Sequence, residues 1–144
     1  MIQRIQSVFF LLAGLFFGGG FATSFASSNQ TVEGIFSDQL YRLDDHIGLQ
    51  ILAGLGILFS IAAIFLYRNR TNQIKIGYLI TTLAILLPIA AILIYSNQTA
   101  QLETVVIEDQ AGLYLPIGTI ICALLAVRYV RKDEKLVQSM DRLR

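Results

Sequence analysis

Charged residues are absent from four long stretches of this sequence: between Arg4 and Glu33, between His46 and Arg68, between Lys75 and Glu103, and between Asp109 and Arg128. Each gap holds an apolar window of about 20 residues, the length a helix needs to cross a hydrocarbon core roughly 30 Å thick. In lipid a segment has to satisfy its own backbone, so these windows are predicted as helices. The expected spans are 8–25, 47–67, 76–95 and 114–130, joined by outer loops 27–46 and 96–113 and followed by a tail at 131–144. The pattern predicts a single all-α domain over 1–144, an antiparallel four-transmembrane-helix bundle.

Local signals refine each span. Arg4 before the first and Ser24-Phe25-Ala26 behind it have the outline of a secretory signal peptide. The charge-free stretch is longer than a usual signal core, which favours a retained helix. Asp44 and Asp45 precede the second span, placed to cap its first turn and to favour its dipole. Pro88 lies within the third span, where neighbouring helices tolerate a kink, and Pro116 suits the first turn of the fourth. Tyr67, Tyr78, Tyr95, Tyr114 and Tyr129 fall near span ends, as interfacial aromatics do. In the outer loops, Thr31–Phe36 and Leu102–Ile107 are rich in β-branched and aromatic residues, so a small β element formed by their pairing is expected over the bundle.

Composition agrees with this pattern. Charged residues make up 15% of the 144 residues, below the roughly 25% of an average soluble domain. The net charge of +1 conceals an asymmetry. Arg4, the Arg68–Lys75 turn and the C-terminal tail carry ten of the eleven basic residues, while the opposite side holds Glu33, Asp38, Asp44, Asp45, Glu103, Glu108 and Asp109 with Arg42 alone. The positive-inside rule then predicts N-in and C-in topology. The single Cys122 offers no partner for a disulfide and reads as a small packing residue.

Helices in lipid associate through close contact of small residues. Gly14, Gly18, Ala22 and Ala26 recur at steps of four in the first span, Ala53, Gly56, Ser60 and Ala63 mark the second, Gly77 opens the third and Gly118 the fourth. The plain reading joins these seams inside one chain. The sharper one leaves the first-span face for a second copy or a partner helix. The tail places Leu136, Val137, Met140 and Leu143 at helical spacing among charges, so it is expected to prolong the fourth helix as an amphipathic segment that meets a protein partner or the anionic leaflet.

Chemistry is sparse. No ionisable residue lies in the central part of any span, which argues against ion-coupled transport. Thr23, Thr81, Thr82 and Thr119 can bond to their own helices. Asp44, Asp45 and His46 are the best cluster for a divalent cation, yet adjacent residues rarely converge on one ion and helix capping explains them. With one histidine and no placed nucleophile, no catalytic, cofactor or metal site is predicted and the chain is not expected to be an enzyme. Its basic residues are few and hug the membrane, which speaks against nucleic acid.

The start Met1-Ile-Gln-Arg-Ile-Gln6, the turn Leu66-Tyr-Arg-Asn-Arg70 with Gln73-Ile-Lys75, and the ending Arg131-Lys-Asp-Glu-Lys-Leu-Val-Gln-Ser-Met-Asp-Arg-Leu-Arg144 form a specific pattern. In these motifs the chain resembles an uncharacterised domain-of-unknown-function family of short four-span inner-membrane proteins from Bacteroidetes. The resemblance runs from end to end and is weakest in the outer loops. It implies a multi-pass protein of a bacterial inner membrane, and it brings no activity, substrate or catalytic residue with it. The remaining expectation is an interaction or assembly module of an envelope complex, contacting membrane lipids and a protein partner or a second copy. A binder or carrier of lipid or a small apolar ligand is the alternative, and an enzyme at the outer face a distant third.

Overall fold

The computed structural model describes residues 3–28, 38–99 and 107–141. Among these, four helices are long and apolar enough to cross a bilayer: α1 (Gln3–Ala22), α2 (Ile47–Phe65), α3 (Arg70–Thr99) and α4 (Leu115–Asp141). Each helix packs against its neighbours in the ring α1, α2, α3, α4 and back to α1. The chain is a multi-pass integral membrane protein, and its side chains are arranged accordingly. Buried positions are largely small or slender, with Ala13, Ala53, Ala84, Ala123 and Ala126 fully enclosed. Leu15, Ile51, Leu58 and Ile117 point outward and are more than half exposed. In water that belt would lose the hydrophobic stabilisation of burial; lipid tails accept it at no cost.

The helix bounds differ from the apolar windows for identifiable reasons. A hydropathy window marks the lipid-crossing part of a helix, whereas its ends are set by caps. α3 starts at Arg70, six residues before the apolar stretch, because the Asn69 side-chain oxygen accepts the Asn72 amide at 3.2 Å. A single 3₁₀ turn (Leu66–Arg68) links it to α2, which makes those two helices antiparallel neighbours. α3 continues through Pro88 to Thr99. α4 continues past its apolar stretch to Asp141, so the tail prolongs the fourth helix. At 27 residues α4 is about 40 Å long.

The first span requires a correction. α1 ends at Ala22, and residues Ser24–Ser28 leave the helix as strand β1. Ala26 therefore belongs to a strand and cannot extend the small-residue face of α1. The two serines at the end of this segment are indifferent helix formers, and Phe25, Ala26 and Ser28 are buried where the extended chain lies on the bundle. β1 is the central strand of a three-stranded antiparallel sheet, flanked by β2 (Leu40–Arg42) and β3 (Ile107–Asp109). A small β element therefore covers one end of the bundle, its described pairings joining β1 to β2 and to β3. Residues 31–36 and 102–106 lie outside the described residues.

The sheet is fastened to the helices at two places. Gly112, in a 3₁₀ turn (Ala111–Leu113) before α4, lies so close to β1 that a Cβ there would stand 2.5 Å from the Ser24 carbonyl oxygen. Tyr41 of β2 is buried, stacks obliquely on Phe25 and donates its hydroxyl to the Ala91 carbonyl of α3 at 3.0 Å. Burial, with the Asp45 charge adding to it, pushes the Tyr41 phenol up to about 12. It therefore remains a donor throughout the physiological range.

Candidate functional site

In the acidic cluster at the capped end, the Asp45 and His46 side chains are bonded within their own turns. Asp45 accepts the Arg42 amide at 2.6 Å and so closes the 3₁₀ turn Leu43–Asp45. Partial burial raises its carboxyl above the ordinary value, with Asp38 and Asp44 adding to the rise, against the lowering effect of the Arg42 amide. The N-cap of α2 is His46, whose Nδ1 accepts the Gly48 amide at 3.1 Å, rather than either aspartate. This corrects the expected roles: the aspartates belong to the 3₁₀ turn that ends immediately before the cap. Gln50 turns back to donate to the Asp44 carbonyl at 2.9 Å. Among the described residues no group of three His, Cys, Asp or Glu side chains could hold a metal ion.

The hydroxyl side chains of the spans bond to their own helices. Ser60, Thr81, Thr82 and Thr119 each donate to the carbonyl four residues earlier, at 2.8 to 3.3 Å. Thr23, just beyond α1, does the same to Gly19 at 3.0 Å. No polar pathway crosses the bundle through these groups.

The small-residue positions separate into two sets. Gly14 meets Ser60, Gly56 lies beneath the Phe17 ring, Gly77 faces Val127 and Phe10, and Gly118 faces Phe16. Gly18 is different: a Cβ there would have no neighbour within 4 Å. Ala22 is exposed. These two, expected at a packing seam, take no part in one among the described residues. Gly18 instead lines an apolar groove of about 520 Å³ between α1 and α2, together with Leu15, Ile57 and Ile61.

The opposite end of the bundle concentrates charge. Arg70, the first residue of α3, lies 3.0 Å from the Asp133 carboxylate of α4. The Arg131 guanidinium sits 5.2 Å above the Tyr78 ring, a cation–π contact between the same two helices. Phe9 of α1 stacks on Tyr129 of α4 at 5.4 Å, so three helices are cross-braced here. Between α3 and α4 a groove of about 370 Å³ opens, lined by Tyr78, Leu124, Arg128, Arg131, Lys132 and Lys135. Beyond it α4 carries Leu136, which is 44% exposed, and Val137, which is half-buried. The Met140 side chain and Leu143 lie outside the described residues.

Sequence reasoning used the basic residues of α4 for topology and missed their grouping. Arg128, Arg131, Lys132 and Lys135 follow steps of three, one and three, so they share an arc of about 100° on one helix face. That spacing was legible. Their position against Tyr78 was not, because it depends on the register between two helices.

The family model described as a domain of unknown function (DUF4293) matches residues 2–143. The chain belongs to this family. No curated protein and no solved structure matches it. Membership of DUF4293 carries no activity with it.

Proposed function

We propose that this DUF4293 chain is a non-enzymatic interaction or assembly module of a bacterial envelope complex, embedded in the inner membrane with both termini in the cytoplasm. The observation that carries the reading is the unbroken course of α4 to Asp141. Its apolar stretch ends at Val130, so about three helical turns continue beyond the hydrocarbon. That extension carries Leu136 exposed among charged neighbours and offers a protein partner a helical surface outside the hydrocarbon. The orientation rests on the basic residues gathered at the end of the bundle that holds the α2–α3 turn. A cysteine placed at Asn69 is expected to react with an impermeant maleimide only in inverted membrane vesicles. Reaction in intact spheroplasts would reverse the topology.

Affinity capture of the tagged chain from native membranes tests the module itself. A stoichiometric protein partner is expected with the wild type, and it is expected to be lost from the Leu136→Asp, Met140→Asp variant while the bundle still folds. Purification of a chain without any protein partner would refute the reading. It would favour a binder or carrier of lipid or a small apolar ligand, for which the α1–α2 groove beside Gly18 gives support.

A further inference from the structure

We infer that the groove between α3 and α4 at the basic end is a binding site for one anionic phospholipid, with its phosphate held by the cations of α4 and an acyl chain laid along the same helix face. Arg128, Arg131, Lys132 and Lys135 line the groove, and no acidic side chain is among its lining residues. The acids of this segment, Asp133 and Glu134, lie on other faces of the helix, and Asp133 is engaged by Arg70. Four like charges on one arc repel one another, so a bound anion relieves a cost that no side chain lining the groove offsets.

Depth is the second argument. Val127 packs against Gly77, and Arg131 lies over Tyr78. While Lys132 and Lys135 continue toward the level of the Arg70–Asp133 pair, Arg128 and the Arg131 guanidinium are therefore level with the first turn of the apolar part of α3, which begins near Ile76. That is where hydrocarbon meets headgroup and where lipid phosphates reside. Arg128 comes only 13 residues after Leu115, about 20 Å along the helix, so it stands closer to the hydrocarbon than a solvent-facing arginine would. Its planar guanidinium and that of Arg131 can each offer paired donors to phosphate oxygens.

The third argument is continuity. Leu124, Ile121 and Ile117 prolong the same face away from the cations, and all three are exposed. A cationic end continued by an aliphatic stripe matches an anionic headgroup joined to an acyl chain. A free phosphate or an acidic peptide would use only the first part. Basic pockets between transmembrane helices hold anionic lipid headgroups in this way. The inference stands independently of any protein that covers Leu136.

The test is native mass spectrometry of the full chain released from bilayers of phosphatidylethanolamine and phosphatidylglycerol in equal parts. One retained phosphatidylglycerol per chain is expected. Lys132→Gln and Lys135→Gln, both exposed positions that the fold tolerates, should each lower its retention about fivefold, and the four-residue Gln variant should abolish it. Arg68→Gln with Lys75→Gln removes charge from the same end outside the groove and should leave retention unchanged. Equal retention of the two lipids, equal loss in that control pair, or displacement of the lipid by inorganic phosphate would each overturn the proposal.

Discussion

Gly77→Leu is expected to prevent the bundle from closing, whereas Gly18→Leu is expected to leave it intact. Any Cβ at position 77 would overlap a Val127 methyl of α4 and come within 3.5 Å of the Phe10 ring of α1. Three helices converge on that point, and neither obstacle can leave, since Phe10 is fully buried and Val127 nearly so. Even modest overpacking costs about 1–3 kcal/mol. A leucine adds four carbons where there is no room for one, so separation of α3 from α4 is the expected response. The Gly18 Cβ position is open, and leucine is the better helix former by about 1 kcal/mol. Thermal unfolding in mild detergent, followed by circular dichroism, reads both variants. A wild-type melting curve for Gly77→Leu would show that the convergence of these helices does not limit stability. A smaller oligomer for Gly18→Leu in the same detergent would assign the open α1 face to a second copy.

The contrast between these two glycines also marks what the amino-acid sequence could and could not reveal. Both sit in regular small-residue patterns, and nothing in the pattern distinguishes a glycine beneath a neighbour from one beside lipid. The spans themselves were legible because ionised side chains are excluded from oil, a strong constraint that acts residue by residue. Their ends were less so. Asn69 starts α3 six residues early, and the Ser24–Ser28 segment abandons the helix although Phe25 and Ala26 look like a continuation of it. What decides the second case is the company β1 finds: β2 on one side and β3 on the other, with the Gln110 amide donating to the Phe25 carbonyl at 3.0 Å. Those partners come from loops far along the chain. His46 as the cap of α2 was obscured in the same way by two aspartates with stronger capping preferences, one of which is committed to the preceding turn. At the basic end the cationic arc on α4 follows from spacing alone, while the groove exists only because Tyr78 is brought beneath Arg131.

One turn toward the basic end from the layer of Phe10, Gly77 and Val127, two glutamines are enclosed without any exposure: Gln6 of α1 and Gln73 of α3. They have opposite energetic characters. The Gln73 amide donates to the Ala63 carbonyl at 2.9 Å, satisfying a group in the last turn of α2, although its own oxygen accepts from none of the described residues. Among the described residues Gln6 has no hydrogen-bond partner at either its nitrogen or its oxygen. A buried polar group left unpaired costs about 1–3 kcal/mol, and an apolar replacement of similar shape removes that cost. Gln6→Leu is therefore expected to raise the melting temperature in mild detergent by an amount equivalent to about 1–3 kcal/mol. Gln73→Leu is expected to lower it, by about 1 kcal/mol, because the Ala63 carbonyl loses its donor inside the bundle. Each result has a clear failure: destabilisation by Gln6→Leu would mean that its amide is satisfied in the membrane-embedded protein, and a neutral Gln73→Leu would mean that α2 ends without needing the bond. Opposite signs from two chemically identical side chains in one layer would be the mark of partner geometry, since polarity by itself predicts the same sign for both.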